Sequence, residues 1–427
     1  MKWNRQHLLI VYAVVFAALV VFVLVRGFHK GGLFDSERFN DFRAYHLAAE
    51  GVWDRDLVPA YEDAARPLQY PPPFAYFVAP LGWLPYRAAN CIWVVFNAVL
   101  MVGLFRYFDQ ILGLPLSAEA KLAGFLLTFR MLEGDFANGN ANLLLLGLVL
   151  VSLTLLRRSH VQWGGATLTV ACLSKVTPLL LLPWILAKRR WRQLLVMALC
   201  GLLIGGLLPL VGLGPTNCSR AWQAWNSGTL SVIDFGSSQY QAEPGRGYVP
   251  GQSLRALVHR LVRESDATAH DDEVTSIHVT NWSKQSADLV YFGTAGLLLL
   301  GAIFVLRYRQ LGHLGWSPNE VAVAVALLPL LGPLSRKANF VFLWPVAVLA
   351  FDAWWQARGG VRALHSLLWC LALGLVVGTS PGFVGREVST QVQAYCPLAF
   401  ATFCLMAIVI DPRTHPRSSR VISRSAA

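Results

Sequence analysis

The chain has 427 residues, 55% hydrophobic and 14% charged, where a soluble protein carries about 25% charged residues. That composition excludes an ordinary cytosolic domain, which needs more polar surface, and a disordered chain, which needs far less apolar surface. The formal charge of +12 invites a nucleic-acid reading that the position of the cations has to decide, and seven cysteines without a CxxC pair form no disulfide framework.

A bilayer core about 30 Å thick takes about 20 apolar helical residues to cross. Leu8–Val25 is an uninterrupted apolar run behind Lys2 and Arg5. It is longer than a signal-peptide core and lacks a clear small-residue cleavage site, so it reads as a retained helix. Further apolar runs follow at Ala88–Phe105, Leu122–Leu132, Leu143–Leu156, Leu194–Leu213, Leu289–Leu306, Val321–Leu334, Phe340–Phe351, Ala363–Val377 and Ala394–Ile410. Trp163–Ala187 is interrupted at Lys175 and Pro178 and reads as a pair of half-spans. About ten to twelve spans are expected, twelve favoured, in an all-α polytopic membrane protein forming a single integral-membrane domain.

Short basic loops mark the cytoplasmic side. With the N-terminus inside, alternation places Arg106 to Lys121, Arg157-Arg158, Lys188-Arg189-Arg190, Arg307 with Arg309, and Arg358 with Arg362 on that side. The basic tail from Asp411 to Ala427 joins them. Topology and anionic lipid therefore account for the positive charge, and nucleic acid is not needed. Both termini are expected in the cytoplasm of a cell with this protein in its inner (plasma) membrane.

Two outer segments, Gly27–Arg87 and Gly214–Ala287, are too long to be plain connectors. The second is rich in Gly, Ser, Pro and charge and is expected to supply a lid. In the first, Asn40 is a good helix N-cap that places Asp41 in the first turn, with Tyr45 one turn on along the same face. A carboxylate there sits at the positive end of the helix dipole. Two readings stay open for it: a dipole-stabilising cap, or a base that takes a proton from a hydroxyl.

Tyr70-Pro71-Pro72-Pro73-Phe74 predicts an extended polyproline segment that scaffolds the entry to the next span. Asp54-Arg55-Asp56 has the D-x-D spacing of a metal–nucleotide site but no strand–turn–helix around it, and reads as a solvated turn. Glu133-Gly134-Asp135 through Asn138, Asn140 and Asn142 predicts an outer connector whose amides and carboxylates either bind sugar hydroxyls or cap helices. Lys175 interrupts an apolar stretch, and an ionisable residue there is a functional candidate. Arg336 and Lys337 bring two more cations to the same face, and Arg255 a fourth. A lipid phosphate is their natural partner, with ordinary headgroup snorkelling as the bland alternative. No H-x-x-x-H, metal cage or P-loop is present, so no metal, ATP or other cofactor is expected.

Asp41-Phe42-x-x-Tyr45, Tyr70-Pro71-Pro72, Pro80-Leu81 with Leu84-Pro85 and Trp93, Gly139-Asn140-x-Asn142, Lys175-x-x-Pro178 and Gln252-Ser253-Leu254 together resemble glycosyltransferase family 87. Its members are multispan enzymes with the GT-C-like bundle, related to the polyprenol-phosphate-mannose-dependent mannosyltransferases. The resemblance implies an inverting transferase that moves a sugar, mannose favoured, from a polyprenyl-phosphate donor to a hydroxyl of an envelope glycolipid or glycan outside the membrane. By motif the catalytic base maps onto Asp41. Lys175, Arg336, Lys337 and Arg255 would hold the donor phosphate, and Tyr45, Tyr70, Asn140, Asn142 and Gln252 would bind substrate. A flippase or transporter for lipid-linked sugars, without transfer chemistry, is the competing expectation.

Overall fold

A computed structural model describes residues 5–33, 40–63, 67–233, 251–265, 268–270, 273–308, 316–333 and 335–414. The chain begins with α1 (Arg5–Lys30) and continues through the short helices α2 (Phe42–Trp53), α3 (Val58–Glu62) and α4 (Pro73–Val78). It then runs through α5 (Tyr86–Leu112), α6 (Ala118–Asn138), α7 (Asn142–Arg157), α8 (Val161–Ser174), α9 (Leu182–Ala187), α10 (Trp191–Cys200), α11 (Leu208–Leu213) and α12 (Pro215–Ile233). Beyond it lie α13 (Leu254–Val262), α14 (Lys284–Tyr308), α15 (Pro318–Leu331), α16 (Trp344–Gln356), α17 (Gly359–Leu373), α18 (Pro381–Val384), α19 (Arg386–Ala394) and α20 (Pro397–Ile410). A short ribbon pairs Thr268–His270 with Glu273–Thr275 antiparallel.

Helix ends follow local chemistry. Ser117 opens α6 by accepting the Ala120 amide at 3.1 Å. Ser317 and Glu320 form a reciprocal capping box at the start of α15, each satisfying a backbone N–H that the first turn leaves without a partner. Gly113 and Gly139 close α5 and α6 in the left-handed conformation, at φ +72° and +66°, where a side chain would be strained.

Among the described residues, six helical stretches are long and apolar enough to cross a membrane: Leu9–Lys30, Tyr86–Leu112, Trp191–Leu213, Lys284–Leu306, Lys337–Gln356 and Gly359–Gly378. Counting as one span each of the bent pairs α6–α7 (119°) and α19–α20 (66°) raises the number to eight. The multispan helical architecture expected from the sequence is thus present, but the number of spans among these residues is lower than ten to twelve. Apolar runs do not report helix length. Thr177–Ala187 and Pro318–Leu331 are apolar helical stretches of only 10–17 residues, and at Lys175 the backbone is extended (φ −156°, ψ +136°) and ends α8. The two halves of Trp163–Ala187 are therefore separate short helices.

The bundle core forms where α6 lies against α16. Gly124 permits that approach, since a Cβ there would lie 2.5 Å from the Val348 side chain. Phe108 and Phe125 close on the buried Trp344 ring at centroid distances of 4.9 and 5.5 Å.

A second apolar cluster holds the segment between α1 and α5 together, with Phe42, Tyr45, Ala48, Leu57, Phe74 and Trp93 among its buried members. Burying one such aromatic is worth roughly 1.5–3 kcal/mol, so these short helices are ordered by packing rather than by propensity. Gly82 sits against the α2 backbone, where a Cβ would come within 2.6 Å of the Ala49 carbonyl carbon. The proline run here is not extended. Pro72 has helical angles (φ −49°, ψ −36°) and Pro73 begins α4, because the first turn of a helix needs no N–H from those positions. Asp54-Arg55-Asp56 is a turn, with Arg55 at φ +59° and Asp56 accepting the Val58 amide. In the second long segment, residues 234–250, including the Ser237-Ser238 and Pro244-Gly245 pairs expected in a lid, lie outside the described residues, as does the basic tail from 415 onward.

Candidate functional site

One cavity of about 1160 Å³ lies where α2, the α6–α7 corner, the Lys175 turn and the segment before α16 converge. Asp41 reaches its wall through a short chain of constraints. Asn40 caps α2, its Oδ1 accepting the Phe42 amide at 3.1 Å and the Tyr86 hydroxyl at 3.3 Å. Asp41 has helical angles, φ −64° and ψ −18°, and its amide donates to the Asn138 carbonyl at 2.8 Å, which ties the start of α2 to the end of α6. Trp93 Nε1 donates to the Gly139 carbonyl at 3.0 Å.

Gly139 is required twice at this corner: for its positive φ, and because a Cβ would lie 2.7 Å from the Asn40 side-chain nitrogen. A left-handed L-residue costs about 1–2 kcal/mol. Gly139→Ala is therefore expected to lower the melting temperature of the purified protein and to displace the Asn40 cap next to Asp41. A variant as stable as wild type would show that the corner relaxes around the methyl.

Beneath Asp41, the Tyr45 hydroxyl donates to that of Tyr70 at 3.0 Å, and Tyr61 donates to the Tyr70 carbonyl at 3.0 Å. Burial, followed by the nearby Tyr70 and Asp41, lifts the Tyr45 phenol well above its usual value. Burial dominates the upward shift at Tyr70. Both phenols stay protonated and available as hydrogen-bond donors.

The Lys175 ammonium lies 5.8 Å from the Tyr70 ring centroid and donates to Asn142 Oδ1 at 3.1 Å. It is close enough to Asp135, Arg336 and Asp41 to feel their charges. Arg336 is set by an antiparallel bridge to Gly251 and by its amide donating to Asn339 Oδ1 at 2.9 Å. Lys337 opens a 3₁₀ turn over Lys337–Leu343 and faces Arg130 and Glu133 across the cavity. Arg255 donates to Asp288 at 3.0 Å on the same wall. The lining also includes the apolar side chains of Val176, Leu179, Leu180, Pro183, Leu328 and Phe342.

A family model for glycosyltransferase family 87 matches residues 68–333. The chain belongs to glycosyltransferase family 87. The solved structure of ArnT from Cupriavidus metallidurans bound to undecaprenyl phosphate is similar over 99% of this chain and 80% of that one, at 12% identity and a TM-score of 0.36. No curated protein matches the sequence.

Of the residues singled out in this family 87 sequence, Asp41, Tyr45, Tyr70, Asn140, Asn142, Lys175, Arg255, Arg336 and Lys337 all line this cavity. Gln252 is placed differently. It is 1% exposed, its amide nitrogen donates to the Gln393 carbonyl at 2.9 Å, and its backbone N–H donates to the Ser335 carbonyl at 2.8 Å. Its backbone fastens the Arg336 segment, and its side chain holds the end of α19. The Glu133–Asn138 stretch also differs from the connector expected: it forms the last turns of α6, because the left-handed turn comes only at Gly139. Asp135 is thereby turned inward and buried, while Glu133, on the cavity side, pairs with Arg26 at 2.9 Å. Arg130, one helical turn before Glu133, was not singled out from sequence. Its position inside an apolar run was the available signal.

On α13, Arg263 donates to His259 Nδ1 at 3.2 Å, which leaves the ring proton on Nε2. Burial, then the Arg263 and Arg255 charges, push the His259 pKa down to about 3. Asp288, 3.5 Å from Nε2, pulls the other way but is already engaged by Arg255. The unfolded histidine titrates near 6.5. The folded state is therefore unpenalised above that pH and loses stability as pH falls from about 6.5 toward 3. The melting temperature is expected to fall between pH 7 and 5, and His259→Gln to flatten that fall. An unaltered slope would assign the effect to another group.

Proposed function

We propose that this family 87 protein is an inverting glycosyltransferase that uses a polyprenyl-phosphate sugar, mannose favoured, and acts on the extracytoplasmic face of the inner (plasma) membrane. The observation that carries the reading is the make-up of the large cavity: a carboxylate at a helix start, several cations and a set of apolar side chains line the same space. The apolar lining suits a prenyl chain, the cations suit its phosphate, and the amides and phenols around Asp41 suit sugar hydroxyls. The acceptor is a hydroxyl of an envelope glycolipid or glycan.

In this reading Asp41 takes the proton of the acceptor hydroxyl as its oxygen attacks the anomeric carbon. The bond from that carbon to the phosphate oxygen breaks on the opposite face, its electron pair goes to the phosphate, and configuration inverts. Lys175, Arg336 and Lys337 stabilise the charge that builds on the leaving phosphate, the kind of fixed electrostatic contribution that is often the largest in such sites. A leaving phosphate needs no protonation, so one carboxylate suffices where a glycoside hydrolase uses two. Arg255 would turn from Asp288 toward the phosphate.

The test supplies membranes containing the protein with radiolabelled polyprenyl-phosphate mannose and an envelope acceptor extract. Label is expected to pass into an acceptor in an Asp41-dependent way. Label that crosses the membrane still joined to its prenyl phosphate, with none transferred, would support the transporter reading instead.

A further inference from the structure

Asp135 is a buried acid that this mechanism leaves unused. Its side chain lies at the corner where α6 meets α7, 1% exposed. One carboxylate oxygen accepts the Asn142 side-chain N–H at 2.8 Å, and the other accepts the backbone N–H of Leu143 at 3.2 Å. Asp135 thus caps α7 from the neighbouring helix and grips the Asn142 amide in the same act. Asn142 then turns its Oδ1 the other way, toward Lys175 Nζ at 3.1 Å and Asn339 Nδ2 at 3.0 Å. Asn339 in turn accepts the Arg336 amide at 2.9 Å.

The direction of this chain is set by chemistry. A carboxylate accepts only, an ammonium donates only, and an amide does one at each end. Flipping Asn142 would set its oxygen against the Asp135 carboxylate and its NH₂ against the Lys175 ammonium and the Asn339 NH₂. Both lone pairs of Asn142 Oδ1 are occupied by Lys175 and Asn339, so that oxygen has no acceptor capacity left for a sugar hydroxyl.

We propose that Asp135 and Asn142 are positioning residues: a relay that aims Lys175 and anchors the Arg336 segment at the cavity wall, so that two cations from distant parts of the chain meet one phosphate. The inference rests on the polyprenyl-phosphate reading above and reassigns Asn142 from substrate contact to positioning.

The relay can be reversed without losing a bond. Asn142→Asp alone faces one carboxylate with another. Adding Asp135→Asn restores the pattern. The amide so introduced would keep the Leu143 N–H with its oxygen and donate its NH₂ to the carboxylate at position 142, which still accepts from Lys175 and Asn339. Retention of undecaprenyl phosphate is measured for wild type, Asn142→Asp and the double variant in nanodiscs, alongside melting temperatures. Asn142→Asp is expected to weaken retention about ten- to a hundredfold, the cost of losing a hydrogen bond to a charged group. The double variant should recover most of that loss, short of wild type because a carboxylate then lies directly against Lys175.

Should Asn142→Asp fail to fold, Asn142→Leu, which leaves Asp135 in place as the Leu143 cap, carries the same expected loss. If Asp135 only capped α7, Asn142→Asp would bind as wild type, or the double variant would recover nothing; either result overturns the relay. Wild-type protein that does not retain undecaprenyl phosphate overturns the donor reading itself, which is a different outcome from wild-type retention with an inert position 142.

Discussion

Asp41→Asn is expected to reduce sugar transfer by about 10²–10⁴-fold, the span of a positioned general base, while leaving the protein folded. The substitution preserves the shape of the side chain and the backbone bond from residue 41 to the Asn138 carbonyl, and α2 keeps its Asn40 cap. What it removes is the capacity to take a proton. The loss should therefore fall on turnover, with the retention of undecaprenyl phosphate little altered, since in the proposed binding mode the phosphate would face the cations. Asp41→Ala should match it. Transfer that continues in both variants would move the base elsewhere, and Glu133, which also lines the cavity, would be the next residue to replace.

Lys175→Gln should be the second large effect, about 10²–10³-fold in turnover, comparable to removing one preorganised donor from a site where charge develops. Lys175 is the cation whose surroundings are most fully determined: Asn142 holds its ammonium, the Tyr70 ring lies beside it, and both Asp41 and Arg336 are near enough to feel its charge. Because charge on the phosphate grows as the glycosidic bond breaks, the loss should exceed the loss in ground-state retention of undecaprenyl phosphate. Equal losses in the two measurements would make Lys175 a binding residue only. Single-turnover rates with labelled donor, set beside retention of the unglycosylated lipid, separate the two outcomes.

Much of this site was legible one residue at a time. Asn40 before a helix-compatible run announced a cap, and that cap put Asp41 and Tyr45 on one face. Lys175 stood out because an ammonium inside an apolar run is costly. Other features were hidden because their cause lies outside the local sequence. Pro71-Pro72-Pro73 read as extended, yet the packing of Phe74 against Tyr45 and Tyr70 makes it more favourable for the prolines to start a helix. Asp135 looked like one of several loop acids, and only the position of Gly139 as the left-handed stop, fixed by close contact with Asn40, shows that α6 runs on and turns Asp135 inward. Gln252 sat within a recognisable motif, but its partners, Ser335 and Gln393, lie far along the chain.

By itself the sequence determined that this protein is a helical membrane bundle, that the Asp41 carboxylate lies in a long segment between apolar runs, and that unusual cations sit near those runs. Those properties follow from composition and from short-range rules of capping and hydrophobic periodicity, which act over a turn or two of helix. The tertiary structure alone decided how many runs are long enough to span, which amides line the cavity and which bond to each other, and that residues as far apart as 41, 142, 175 and 336 line one cavity. Hydrogen bonds between such residues depend on where helices cross and bend, and the 119° corner between α6 and α7 is set by packing across the whole bundle.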